Sequence, residues 1–151
     1  MAEPMTKGEL GTSGEDLVAQ WLLAQGWQPL ARQWHCRWGE LDLVMACGPA
    51  GSSGHLTFVE VKTRSQGNWD ADGLMAITRS KQAKLWKAAQ LYLLKQPQWA
   101  DATCRFDVAL VACRRGAIPT SGDPNRYLDL ADGRYLVLQD YIDCAFDVPG
   151  R

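Results

Sequence analysis

The 151-residue chain has 46% hydrophobic residues, 22% charged residues and a formal net charge of −1. This length fits one domain with a sizeable core, and the net charge alone gives no indication of a nucleic-acid partner. No stretch approaches the roughly 20 apolar residues of a membrane span, and the N-terminus lacks the apolar region of a signal peptide. We therefore expect a cytoplasmic protein with no membrane partner.

The beginning of the chain predicts one helix. Residues 1–13 are polar and Gly-rich, so we expect a flexible lead-in before a single domain over 14–147. Leu17, Val18, Trp21 and Leu22 recur at helical spacing, which predicts a helix from Glu15 to Gln25 capped by Thr12 or Ser13. Glu15 precedes Val18 by three residues, so it points toward this apolar stripe.

The rest of the chain alternates between strands and helices. Strands are predicted over 28–38, 40–46, 56–62, 105–112 and, in a short form, 135–138, and helices over 78–95 and 140–146. Residues 48–54 are rich in Gly, Pro and Ser and connect the second and third strands as a hairpin, while 63–77 reads as a loop with one helical turn. The order α-β-β-β-α-β plus short C-terminal elements indicates an α/β fold, a mixed β-sheet flanked by helices.

Charge is distributed unevenly along the chain. Residues 78–96 contain five Lys or Arg and no acid, whereas 129–147 contain five Asp against one Arg. The basic segment is typical of a nucleic-acid-binding face, and equally of a solvated helix. The acidic segment is compatible with a surface that docks a basic partner protein.

Cysteine and histidine give little support for a zinc site. The five cysteines are widely spaced without a C-x-x-C pair, so neither a zinc ribbon nor a redox motif is indicated. His35 next to Cys36 could be a fragment of a metal site, but His55 is the only further histidine. We favour a structural role for His35 and Cys36.

Three residues of the hairpin have the chemistry of a catalytic site. Glu60 and Lys62 are two apart on one strand and share a face. If the hairpin loop is centred near Gly51, Asp42 comes level with Glu60. Two carboxylates this close repel each other unless a cation or a proton compensates them. Mg2+ or Mn2+ would suit their oxygen ligands and would activate water for attack on a phosphodiester. A structural salt bridge of Lys62 would explain the same three residues.

The motifs around these residues resemble a known family. The pattern is similar to the YraN family of uncharacterised bacterial proteins within the PD-(D/E)XK nuclease-like superfamily. The matching segments are G-E-D-L-V-A-Q-W-L at 14–22, W-H-C-R-W-G-E-L-D-L-V at 34–44, F-V-E-V-K-T-R at 58–64, T-R-S-K-Q-A-K-L at 78–85, A-A-Q-L-Y-L at 88–93 and R-F-D-V-A at 105–109. The resemblance therefore extends over nearly the whole chain.

The resemblance implies a restriction-endonuclease-like fold and a catalytic triple of Asp42, Glu60 and Lys62. In similar enzymes a glutamate of the first helix lies near the metal, which matches Glu15. Phosphate contacts are then expected from cations after the motif and on the basic helix: Arg64, Arg79, Lys81, Lys84 and Lys87.

These features predict an Mg2+- or Mn2+-dependent endonuclease acting on nucleic acid, on DNA more than RNA, including branched repair or recombination intermediates. Symmetrical cutting of two strands would favour a homodimer. A nucleic-acid-binding accessory module without turnover is the main alternative. A protein-interaction domain using the acidic segment 129–147 is another.

Overall fold

The computed structural model describes residues 5–67, 69 and 77–147, which form a six-stranded mixed sheet with a helix on each face. The elements are α1 (Lys7–Ala24), β1 (Gln28–Cys36), β2 (Gly39–Cys47), β3 (His55–Arg64), α2 (Arg79–Lys95), β4 (Thr103–Arg115), β5 (Tyr127–Asp129) and β6 (Arg134–Phe146). Within the described residues, neither helix is long and apolar enough to cross a membrane. The turn predicted within 63–77 lies largely outside the described residues.

The strands lie in the order β1-β2-β3-β4-β6-β5. Strands β3 and β4 are parallel because the chain returns through α2, and the other neighbouring strands are antiparallel. The predicted α/β class and the order α-β-β-β-α-β are therefore confirmed. The hairpin register is confirmed as well, since Leu43 pairs with Val59 and Val44 pairs with Phe58.

Two apolar cores form because successive strand residues face opposite sides of the sheet. Val59 packs with Leu17 and Leu22 of α1, and Phe58 packs with Leu85 and residues of α2 on the other side. The faces of β3 thus connect both helices to the hairpin that carries the predicted site.

Helix α1 begins earlier than the sequence predicted. It starts at Lys7 rather than Glu15, and its cap is Thr6, whose side chain accepts a hydrogen bond from the Glu9 N–H at 3.1 Å. The prediction of a lead-in over 1–13 is therefore wrong from Lys7 onward. Thr6 and Glu9 have the spacing of a capping box, and the burial of Leu10 gives the extra turns a tertiary contact.

The C-terminal segment is a strand, and the helix predicted over 140–146 is wrong. Its end pairs with β4 through an irregular register, which conceals the alternation of a strand. Cys144 has a positive φ of 48°, and its N–H donates to the fully buried Asp107 at 3.0 Å. The Asp107 carboxylate also accepts from Tyr141 and Arg105, so this buried cluster fixes the irregular end of β6.

Helix α1 approaches β3 most closely at Gly14. A Cβ at this position would overlap the Oγ1 of Thr63 and lie 3.4 Å from the Thr63 Cβ. A glycine is thus required for the observed distance between helix and strand. Because Glu15 is the next residue, this contact also determines how far the Glu15 carboxylate reaches toward the sheet.

We predict that Gly14→Ala lowers the free energy of unfolding by about 1–3 kcal/mol, the usual cost of overpacking, despite the better helix propensity of alanine. Gly11→Ala is the matched control, since a Cβ there meets nothing within 4 Å. It should raise the free energy of unfolding by up to about 1 kcal/mol. Urea denaturation measures both changes.

The double variant Gly14→Ala/Thr63→Ala should recover most of the loss, because it removes the overlapping hydroxyl. If Gly14→Ala stabilised the protein as much as Gly11→Ala does, the contact with Thr63 would not be the constraint that we describe.

Candidate metal centre

The β2–β3 hairpin brings Asp42 and Glu60 together as the sequence predicted. The register continues from Leu43 opposite Val59, which places Asp42 level with Glu60. The Asp42 carboxylate accepts a hydrogen bond from the Val61 N–H at 2.9 Å. Backbone geometry therefore fixes the orientation of this carboxylate beside Glu60.

Two further carboxylates complete an acidic cluster. One carboxylate oxygen each of Glu15, Glu40 and Asp42 lie within 4.8 Å of one another. Glu15 is buried, as predicted, and it accepts a hydrogen bond from Gln33 Nε2 at 3.0 Å. Glu40 was not among the predicted residues, although a position two residues before Asp42 on the same strand indicates a shared face.

Glu60 is held by two lysines. Its Oε1 lies 3.1 Å from Lys62 Nζ and 3.2 Å from Lys81 Nζ. Lys62 thus joins the predicted triple, and Lys81 reaches the same atom from the first turns of α2. The sequence predicted Lys81 as a phosphate contact, whereas in the structure it also forms part of the centre itself.

Burial and charge change the protonation of this cluster. Burial, and then repulsion from Glu60, raises the pKa of Asp42 to about 8. Burial also raises the pKa of Glu15, against the opposing effects of Gln33 and Arg32. Burial and the neighbouring Lys81 lower the pKa of Lys62, although Glu60 opposes this shift.

The cluster has the donor set that a hard divalent cation requires. Glu15, Glu40 and Asp42 present oxygen atoms close enough together to hold one ion, and Mg2+ and Mn2+ prefer such ligands. Glu60, which the sequence predicted as a ligand, lies beside this group in contact with Lys62 and Lys81. Lys62 and Lys81 compensate only part of the negative charge of these four carboxylates. A bound cation would remove the repulsion that otherwise favours a proton on Asp42.

Asp42 and Glu60 lie between two clefts. A cleft of about 490 Å3 on the α2 side is also lined by Trp38, Lys81 and Lys84. A second cleft of about 620 Å3 on the α1 side contains Lys62 and the first residues of α1. The acidic cluster is therefore accessible from both sides of the hairpin.

The predicted phosphate contacts are distributed unequally around these clefts. Lys84 lines the α2-side cleft. Lys87 lies over the Trp38 ring at 4.2 Å from its centroid, and Arg64 lies over Trp69 at 5.5 Å. Arg79 is exposed at the start of α2 and lines neither of these clefts.

Three tryptophans near the site contribute to packing. Trp34, Trp38 and Trp69 all pack at the edge of the α2-side core. The Trp69 indole also donates to the Val111 carbonyl at 2.8 Å. His35 Nδ1 lies 3.4 Å from Glu40 Oε2. His35 therefore contacts the acidic cluster and does not form a metal site with Cys36.

We predict that the metal-free protein becomes less stable as pH rises from about 4 to about 8. The unfolded chain releases the Asp42 proton near pH 4, whereas the folded protein retains it until about pH 8, so the folded state loses its advantage across this range. Urea midpoints between pH 5 and 8.5, in chelator, measure this loss.

Asp42→Asn keeps an acceptor for the Val61 N–H but cannot ionise. Between pH 5 and 8.5, the free energy of unfolding should therefore fall less for this variant than for the wild type. The difference between the two falls should be at least about 1.4 kcal/mol, the equivalent of one pKa unit. The exposed Asp101→Asn serves as the control and should follow the wild type. Parallel profiles for Asp42→Asn and the wild type would contradict the raised pKa.

Comparison with known proteins identifies the family. Residues 14–111 match the model of the uncharacterised protein family UPF0102. A UPF0102 protein of Acaryochloris marina is 46% identical over 91% of this chain and 90% of its own length. Another, from Trichodesmium erythraeum, is 55% identical over 93% of this chain and 89% of its own length. On these matches, the chain belongs to the UPF0102 family.

Proposed function

We propose that this protein is a metal-dependent nuclease that hydrolyses phosphodiester bonds in nucleic acid, DNA in preference to RNA. The observation that carries the proposal is the group of Glu15, Glu40 and Asp42 between two clefts, with Glu60 and its two lysines, Lys62 and Lys81, next to it. Such a set of oxygen ligands with adjacent amines suits phosphoryl-transfer chemistry.

A restriction-endonuclease-like arrangement of the sheet is part of this proposal. The hairpin of β2 and β3 is followed by the α2 crossover to a parallel β4, and the D…E-x-K residues lie where the hairpin meets both clefts. The resemblance of segments 34–44 and 58–64 to the PD-(D/E)XK superfamily supports the same arrangement.

Asp42, Glu15 and Glu40 would hold the cation, with Glu60 as a further ligand. A bound Mg2+ or Mn2+ supplies an activated water and neutralises charge on the phosphate. The Val61 N–H orients Asp42, and Gln33 orients Glu15, so both carboxylates are positioned before any ligand arrives.

Lys62 has the properties of the residue that handles the proton or the developing charge. Its lowered pKa brings the amine closer to the range in which proton transfer is effective at neutral pH. Lys81 shares Glu60 with it, so one ammonium can remain on the carboxylate while the other faces the substrate.

We predict that Mn2+ binds the wild type with one dominant site. Asp42→Asn should weaken the affinity by more than the 10- to 100-fold that outer-shell partners of metals typically cost, because a direct ligand is lost. Titration calorimetry measures this, with Asp101→Asn as the matched control. Equal Mn2+ affinity in Asp42→Asn and the wild type would remove the metal site from the proposal.

We also predict metal-dependent cleavage that requires Lys62. Lys62→Ala should lower the cleavage rate at least about 100-fold, the scale of losing one electrostatic contact to the transition state, while DNA binding is retained. Lys95→Ala, at the last turn of α2, is the control and should cut at the wild-type rate. The substrate panel should contain single-stranded, duplex, flapped and branched DNA together with RNA.

A nucleic-acid-binding module without turnover is the second candidate. One observation favours it: Lys62 and Lys81 both contact Glu60 and so already neutralise the charge of one proposed ligand. Salt-dependent DNA binding without cleavage of any panel member in Mg2+ or Mn2+ would select this candidate over the nuclease.

A further inference from the structure

Three arginines line a cleft beside the candidate centre. Arg114, Arg115 and Arg134 form its walls together with Cys113 and residues 65–67, and its volume is about 560 Å3. None of these arginines was predicted as a nucleic-acid contact. The acidic residues of the candidate centre are not among the residues that line this cleft.

Two of the arginines face each other across the sheet. Arg115 of β4 is the direct partner of Arg134 of β6 in the antiparallel register. Side chains in such a pair have Cβ atoms about 4.5–5.5 Å apart, and like charges there are destabilising. An arrangement of this kind favours an anion that lies between the two guanidinium groups.

A carboxylate already occupies one guanidinium. Asp132 accepts from Arg134 Nε at 3.0 Å and from its terminal nitrogen at 2.6 Å. Both N–H groups donate to one oxygen, Asp132 Oδ2, on the edge of the guanidinium that could otherwise bind a phosphate. Asp132 therefore occupies the place on Arg134 that a phosphate would take.

The arginine cleft is continuous with the candidate centre. Ser65 and Arg134 line both the arginine cleft and the α1-side cleft that contains Asp42, Glu60 and Lys62. Lys62 lies opposite Leu110 of β4, five residues before Arg115. At about 3.3 Å per strand residue, Arg115 is roughly 16 Å along β4 from the level of Lys62 and roughly 23 Å from the level of Glu60, which pairs with Val108.

We propose that Arg115 and Arg134 bind the backbone phosphates of a nucleic-acid strand whose reacting phosphate lies at Asp42 and Glu60. This inference rests on the proposed function, because it specifies the direction and the minimum length of the nucleic-acid strand that the nuclease would bind. At the roughly 3.4 Å axial rise per nucleotide of one duplex strand, the arginine contact falls no more than about seven nucleotides from the reacting phosphate.

The test uses labelled DNA and RNA oligonucleotides of increasing length, from about four to about 20 nucleotides, with binding measured at several salt concentrations. Arg115→Ala should lower the dependence of log Kd on log salt by about 0.7–0.9, the value for one lost phosphate contact. Its affinity loss should appear only for strands long enough to reach the arginine cleft. Arg115→Lys keeps the charge and should retain the wild-type slope.

Asp132→Asn gives an independent readout, because it preserves an acceptor for the Arg134 N–H but releases the charge of the guanidinium. It should tighten binding of the long strands and leave the shortest strands unchanged. Lys95→Ala is the matched control, roughly 21 Å along α2 from Lys81, and should leave the length dependence unaltered.

The outcomes separate this inference from the proposed function. If the wild type binds or cuts nucleic acid but Arg115→Ala and Asp132→Asn change neither slope nor length dependence, the arginine contact is wrong and the proposed function stands. If the wild type binds no oligonucleotide, both are wrong. If Arg115→Ala loses more affinity for DNA than for RNA, or the reverse, the nucleic acid with the larger loss is the one that the cleft accepts.

Discussion

The antiparallel register of β2 and β3 is the constraint on which the candidate centre depends. With Leu43 opposite Val59, Asp42 is forced beside Glu60, and a shift of one residue would turn either carboxylate to the other face. Both faces of the hairpin are buried, so the apolar side chains hold a register that the carboxylates by themselves would oppose. Packing energy therefore maintains an electrostatic arrangement that is unfavourable in the absence of a cation.

Local signals were sufficient to predict this hairpin and the second helix. The turn-rich residues 48–54 centred the register, and the helix predicted from Thr78 begins there, with the Thr78 side chain accepting from the Lys81 N–H at 3.2 Å. These features depend on residues close together in sequence. The burial of Glu15 was also predictable, because it shares a helical face with Val18 and Leu22.

Errors arose where distant contacts override local preference. Three glycines, Gly8, Gly11 and Gly14, disguised the first half of α1, whose stability depends on packing against the sheet. The end of β6 has no regular alternation because Asp107, from another strand, stabilises its irregular backbone at Cys144. The link between Glu60 and Lys81 likewise joins two elements whose approach no local pattern specifies.

The glycine contact between α1 and β3 has a consequence for the choice of cation. Mg2+ binds oxygen at about 2.0–2.1 Å, whereas Ca2+ binds at about 2.3–2.6 Å, so a few tenths of an ångström in ligand spacing distinguish them. Gly14 and Thr63 set the height of the helix that carries Glu15. If the centre binds an ion as we propose, the volume of the side chains at these two positions, outside the ligand set itself, would tune its ion selectivity.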